Sequence, residues 1–335
     1  MSHIAEIALE NYRSFRAARC RLAPFTLIVG ANNAGKSNLL RAVRDMAVID
    51  AFPGRLNESR NHGCGEEDVK ITLRWDDGSE LVAYEEHEGG GGISGTNKMA
   101  EMNPRGGSAV IYRLDPNVIG AADGRVKEPF IAPNGEGVSA VLDKLNAGPS
   151  AAQKRYKAIM DALRRCVPEI EHVSFYNVDD DNRAIQVEQT GLPEPRPLSE
   201  VSDGTRLVLA ILTLVNQETP PPVLLLEDID RGLHPRLYEQ LVAFLRSLAA
   251  QGRTQILATT HDPYLIDEFR ETPGAVVIVD KKDGASTLSN LDERLNVIRA
   301  PGEELEMPLG QVWFSGLVGG VPKMKLPEIL RVAEE

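Results

Sequence analysis

The chain has 335 residues, 42% of them hydrophobic, enough for one large domain or two ordinary ones around a sizeable core. Its 37 Lys and Arg against 49 Asp and Glu give a net charge of −12, which excludes a surface basic all over but leaves room for a local basic groove. Cys20, Cys64 and Cys166 are scattered without Cys-x-x-Cys spacing, no apolar run is long enough to span a membrane, and the amino terminus lacks the pattern of a secretory leader; a reduced, cytoplasmic protein is expected.

Taken in order, residues 4–9, 20–22 and 25–29 read as paired strands around a turn at 11–15. The apolar run 25–29 then delivers Gly30-Ala31-Asn32-Asn33-Ala34-Gly35-Lys36-Ser37, followed by Asn38 and a helical pattern to about Met46. This is G-x-x-x-x-G-K-S between a strand and a helix, the context a phosphate-binding loop requires. Glycines let backbone N–H groups turn around an anion, and the helix start adds its positive dipole end. Lys36 can reach β- and γ-phosphates, and the Ser37 hydroxyl can ligate Mg²⁺. Residues 55–65 read as polar and irregular. Residues 70–75 and 80–84 form a hairpin about Asp76-Asp77-Gly78, and 89–92 form a glycine tip. A strand is expected at 108–114, helices at 138–145 and 151–165, a β pair at 172–176 and 184–188, and a proline-rich linker at 191–197.

A second chemical region follows. Ser202-Asp203-Gly204 opens a helix to about Leu214, with Ser202 placed to cap it. The apolar strand 223–226 ends in Glu227 and Asp228, and strand 254–260 ends at His261. Acids at a strand end suit a phosphate-loop site: Glu227 beside the metal, Asp228 orienting an attacking water as general base. His261 can hydrogen-bond the γ-phosphate and that water. His234-Pro235 opens a further helix to about Ala250, and 275–279 is one more strand. Short apolar strands alternating with helices imply a buried parallel sheet covered by helices.

Most of the chain separates Lys36 from Glu227, where one crossover needs only about a dozen residues. That insertion, with the motifs at 7–15, 30–37, 202–205, 225–235 and 259–263 in the same order, resembles the ABC-type ATPases of the OLD family (overcoming lysogenization defect), relatives of SMC and recombination-repair heads. The resemblance implies an α/β P-loop NTPase of ABC/SMC-head type: a mainly parallel central sheet with helices on both faces, an antiparallel β subdomain and an inserted helical region. The expected division of this single domain is lobe I at about 1–115, the insertion at 116–198, lobe II at 199–290 and a tail at 291–335. It further implies slow Mg²⁺-dependent ATP hydrolysis, with ATP held by Gly30 through Asn38. Ser202, Asp203 and Gly204 would act in trans across a head-to-tail homodimer, with 230–232 at the seam.

The family shows a longer acid and then Pro-Glu where this chain has Glu227-Asp228-Ile229-Asp230, and its metal-side glutamine has no identifiable counterpart here. His234 reads as architectural. The Toprim nuclease of many OLD proteins is not expected, because no Asp-x-Asp follows His261. The apolar, glycine-rich stretch 307–322 resembles tails of stand-alone ATPases beside separate effectors in bacterial defence loci; a tail packed on its own core fits equally. The function expected is an ATPase that gates such an effector. The alternatives are a nucleotide-gated scaffold or DNA clamp with little turnover, and a transporter ATPase subunit.

Overall fold

The computed structural model describes residues 2–47, 56, 59–61, 67–86, 90–95, 110–124, 129–298 and 307–321. Cys64 and most of the polar stretch 55–65, Gly89, residues 108–109, and the chain from 322 onward lie outside them. The strands in chain order are β1 Ile4–Tyr12, β2 Phe15–Arg21, β3 Phe25–Gly30, β4 Val69–Trp75, β5 Glu80–Glu85, β6 Gly91–Gly95, β7 Ile111–Tyr112, β8 Asp123–Gly124, β9 Ile170–Asn177, β10 Asn182–Gln189, β11 Arg196–Pro197, β12 Val223–Leu226, β13 Gln255–Thr260, β14 Val276–Lys282 and β15 Ala285–Asn290. The helices are α1 Lys36–Ala47, α2 Val138–Ala147, α3 Ser150–Cys166, α4 Asp203–Asn216, α5 Tyr238–Ala250, α6 Pro263–Asp267, α7 Leu291–Ile298 and α8 Leu309–Phe314.

Eleven strands form one sheet in the order β6-β5-β4-β1-β2-β15-β14-β3-β13-β12-β7. Its centre, β14-β3-β13-β12-β7, is parallel throughout. Every residue of β3 and β13 is buried, as expected of parallel strands covered on both faces. Phe25, Leu27 and Val29 of β3 join the core beneath α2 to α5, while Ile28 joins the core beneath α1. This two-residue alternation is what lets one strand serve two layers. On α1, Leu39, Leu40, Val43 and Met46 are buried together, each contributing about 1.5–3 kcal/mol by leaving water. Within the same core the Tyr12 hydroxyl donates to Asp45 Oδ2 at 2.7 Å, and burial raises the Tyr12 pKa.

The expected antiparallel subdomain takes two forms. Strands β1, β2, β4, β5 and β6 continue the main sheet, joined to its centre by β15, which is antiparallel to β14 and parallel to β2. A separate four-stranded sheet of β8 to β11 lies in the insertion, beside α2 and α3. The glycine tip needs correcting: Gly91–Gly95 is an edge strand paired with β5 from Glu85↔Gly91 to Leu81↔Gly95. A Cβ on Gly91 would stand 2.7 Å from the Tyr84 carbonyl oxygen, so the glycines permit the pairing. The linker at 191–197 contributes β11 to the small sheet.

The tail, as far as it is described, packs on its own core: Leu309, Val312, Trp313 and Val318 are buried there, while Phe314 and Leu317 stay exposed. Cys20 and Cys166 are free and buried. Among the described residues no helix is long and apolar enough to cross a membrane.

Helix α8 lies against α6, which follows His261. A Cβ on Gly310 would fall 2.0 Å from the Pro263 carbonyl oxygen, a backbone atom that cannot rotate away. Gly310→Ala must push the two helices apart, and a loss of about 1–3 kcal/mol in urea unfolding is expected.

Candidate phosphate-loop site

Parallel pairing sets the level at which the central strands end. Val29 lies opposite Thr260, Ala258 opposite Leu226, and Leu226 opposite Tyr112. Gly30 closes β3, and His261, Glu227 and Arg113 are the first residues past the three strands that follow it across the sheet. Around this rim lies a cavity of 300 Å³, lined by Asn32, Asn33, Gly35 to Asn38, Arg41, Arg113, Glu227, Asp228, Thr259 and His261.

The loop leaves β3 at Gly30, where a Cβ would stand 2.3 Å from the Val279 carbonyl oxygen. Asn33 is left-handed, with φ 61°. Gly35 has φ 121°, and a Cβ there would meet Ser286 Oγ at 2.6 Å and Ser14 Oγ at 2.9 Å. Ser286 Oγ donates to the Ala34 carbonyl, and Asn38 Nδ2 donates to Ser14 Oγ at 2.9 Å. The loop is thus fastened to β15 and to the β1–β2 turn. Lys36 Nζ donates to the carbonyls of Gly30 (2.8 Å) and Ala31 (3.1 Å) and lies 3.5 Å from His261 Nδ1. Burial lowers its pKa to about 8, against the opposing pull of Asp228, Asp230 and Glu227. Burial, and then the Lys36 charge, lower the His261 pKa, so the imidazole is neutral at pH 7.

Ser37 Oγ donates directly to Glu227 Oε1, which closes the long sequence gap between the two halves of the site. Asp228 stands between two bases, with Oδ2 at 3.6 Å from Arg113 Nη2 and Oδ1 at 3.8 Å from His261 Nε2. Its φ of 54° is left-handed, and two hydrogen bonds hold it there: Asp228 N–H to Thr259 Oγ1 at 2.9 Å and Ile229 N–H to the Thr259 carbonyl at 3.0 Å.

The hydroxyl and carboxylate oxygens of Ser37 and Glu227 are a donor set suited to a hard cation. Among the described residues no group of three or more His, Cys, Asp or Glu forms a metal cluster. Two protein oxygens beside a phosphate cavity fit Mg²⁺, which keeps water and phosphate oxygens for its remaining positions.

Ser202, Asp203 and Gly204 do not line this cavity. Ser202 caps α4, accepting from Thr205 N–H, and the Asp203 carboxylate is turned onto Arg206. A Cβ on Gly204 would meet the Gly232 carbonyl oxygen at 3.2 Å, so the 230–232 segment packs on the start of α4. His234 Nδ1 accepts from Arg236 N–H at the head of a short turn, an architectural position. Arg41, Thr259 and Arg113 line the cavity without having been singled out by sequence. Thr259 was within reach, since its strand ends at His261. Arg113 fell inside the strand expected at 108–114, which the structure ends at Tyr112, leaving Arg113 past its end.

Two family models match the chain, "AAA ATPase domain" over residues 3–72 and "AAA domain, putative AbiEii toxin, Type IV TA system" over residues 152–267. A putative ABC transporter ATP-binding protein of Streptomyces avermitilis is 45% identical over 75 residues, 22% of this chain and 12% of that protein. The Old nuclease of Escherichia phage P2 is 44% identical over 41 residues, 12% of this chain and 7% of the nuclease. The chain thus matches only a small fraction of these relatives' length. An SMC head bound to the C-terminal winged-helix domain of ScpA aligns with 88% of this chain and 99% of its own at a TM-score of 0.60 and 14% identity. The SMC head of Thermotoga maritima aligns with 86% and 98% at 0.52 and 16%. The chain thus has the fold of SMC heads, and parts of it resemble AAA ATPase domains, an ABC transporter ATP-binding protein and Old nuclease.

Lys36 makes the stability of the protein depend on pH. Unfolded, it holds its proton to about pH 10.5; folded, it releases it near 8. Between those values the unfolded chain binds more protons, so this group makes stability rise with pH. Lys36→Met should lack that component, which urea unfolding of both proteins from pH 7.5 to 9.5 reads as the difference of two slopes.

Proposed function

We propose that this chain hydrolyses ATP with Mg²⁺, closes head to tail on a second copy around two ATP molecules, and thereby gates a separate effector protein in bacterial defence against phage. The observation that carries the reading is the convergence of Lys36, the Ser37–Glu227 pair, Asp228 and His261 at one rim of the sheet.

On this reading backbone N–H groups of residues 30–38 surround the phosphates, and Lys36 turns from the Gly30 and Ala31 carbonyls to the β- and γ-oxygens. The phosphate charge restores to Lys36 the proton affinity that burial removed. Ser37 and Glu227 would hold Mg²⁺, which supplies charge neutralisation at the phosphate oxygens. Asp228 takes the proton of the attacking water, and neutral His261 positions that water against the γ-phosphate. Asp228 is one methylene shorter than glutamate, so its reach is shorter and turnover slower. Ser202 and Gly204 sit outside the cavity of their own chain, with the α4 N-terminus free of the Asp203 charge because Arg206 holds it. A second copy related by a two-fold axis would bring that helix start to the γ-phosphate and close both sites at once.

The SMC-head neighbour bound to a ScpA domain supports a protein partner; the match to Old nuclease and the AbiEii description supports the defence setting. A nucleotide-gated scaffold with little turnover is the second reading, favoured by the short Asp228. A DNA clamp is weakened by the net charge of −12.

Three variants test the proposal. Lys36→Ala should bind no ATP detectable by calorimetry; parental affinity there would remove the nucleotide reading. Asp228→Asn should bind ATP normally and lose turnover by about 10²-fold or more, because an amide cannot accept the water's proton. Ser202→Arg should leave ATP binding to the monomer intact. Sedimentation with and without ATP should show it monomeric under conditions where Asp228→Asn dimerises.

A further inference from the structure

Arg113 follows β7 directly. The pairing of β7 with β12, closed by Glu227 N–H donating to the Tyr112 carbonyl at 2.8 Å, places it on the rim beside both acids. Its side chain is 61% exposed and borders the cavity from the wall opposite β3, three strands away. The ion pair at 3.6 Å to Asp228 is loose. A guanidinium fork held this loosely beside a phosphate-sized cavity suits a phosphate group.

The next three residues lead away from the site as one packed and hydrogen-bonded unit. Leu114 is buried, Arg113 N–H donates to the Pro133 carbonyl, and Asp115 N–H donates to the Asn134 carbonyl, both at 2.9 Å. The Pro116 carbonyl accepts from Arg206 Nη1, and the other arm of Arg206 binds Asp203. Arg206 is buried in the first turn and a half of α4, where its own N–H also donates to the Ser202 carbonyl at 3.2 Å. One buried guanidinium therefore ties the Arg113 loop to the helix start that carries Ser202 and Gly204.

We propose that Arg113 reads the terminal phosphate of the bound nucleotide, and that Arg206 is a positioning residue transmitting the resulting shift to the Ser202–Gly204 helix start. The inference rests on the nucleotide reading above and adds to it a distinction between ATP and ADP inside one chain. With ATP, Arg113 leaves Asp228 for the γ-phosphate, freeing the acid to face water. With ADP it stays. The loop 113–116 moves with it, and the first turn of α4 follows through the two bonds of Arg206.

The test uses a non-hydrolysable ATP analogue and ADP, each saturating, at protein concentrations shown by sedimentation to be monomeric. Affinities come from calorimetry, and backbone amide hydrogen exchange is followed over residues 203–210. The parent should prefer the analogue over ADP by about tenfold or more, the worth of one charged hydrogen bond, and exchange at 203–210 should differ between the two nucleotides. Arg113→Ala should lose both the preference and the exchange difference while keeping its ADP affinity. Arg206→Lys, which cannot span both partners, should keep the preference and lose the exchange difference. Asp203→Asn, altered at an exposed side chain, repeats the second test should Arg206→Lys fail to fold. A preference retained by Arg113→Ala overturns the phosphate contact. An exchange difference absent from the parent, or retained in both Arg206→Lys and Asp203→Asn, overturns the relay. A parent that binds neither nucleotide removes the underlying reading instead.

Discussion

Parallel register is the constraint on which this molecule depends. Hydrogen-bonded pairing holds strands β7, β12, β13 and β3 at fixed levels, so that their carboxyl ends form a stepped rim: Tyr112 and Leu226 lie level with Ala258, two residues before β13 ends. Each strand delivers one chemical group at its carboxyl end, in keeping with the position of ligand sites in open α/β sheets. A slip of one residue in any of them would turn its apolar set to the wrong face. With two separate cores packed above and below β3, register is defended by the burial of both layers.

The electrostatics of the rim follow from that crowding. Lys36 has three carboxylates near it, yet burial outweighs them and its pKa falls. Its hydrogen bonds go to the Gly30 and Ala31 carbonyls, so the acids act on it only through space. Asp230, nearby, is shifted upward by the same loss of water. Thr259 of β13 holds the unusual backbone of Asp228 by two hydrogen bonds, so a neighbouring strand helps to set the acid's position.

Much of this was legible in the chain itself. The run from β3 through the loop into α1 follows a pattern whose every residue has a local reason: β-branched strand, glycine turn, helix. Ser202 as an N-cap, and the Glu227 and His261 strand ends, were readable for the same local reason. Arg113 fell inside a strand expected at 108–114; that the strand stops at Tyr112 and leaves Arg113 on the rim was not legible, because it depends on pairing with residues over a hundred positions away. The glycines of β6 and the polar run of β15 also failed to announce strands. Their pairing is imposed by β5 and β14, and side-chain propensity does not report it. The tight seat of Gly310 against Pro263 is likewise invisible until tertiary structure brings the two together.

The interleaving of distant strands has a consequence for synthesis. β3 is complete at residue 30, but both of its neighbours, β13 and β14, lie beyond residue 254. At a translation rate of about 5–20 residues per second, β3 waits roughly 10–45 s for its first partner. The β1–β2 hairpin and β4 to β6 can pair locally as they emerge. This largely apolar strand, bearing the loop at its tip, meanwhile presents two open edges. Unpaired at both edges until residues 255–282 are made, β3 is exposed to mispairing over that span, and the central sheet closes only when β13 and β14 arrive.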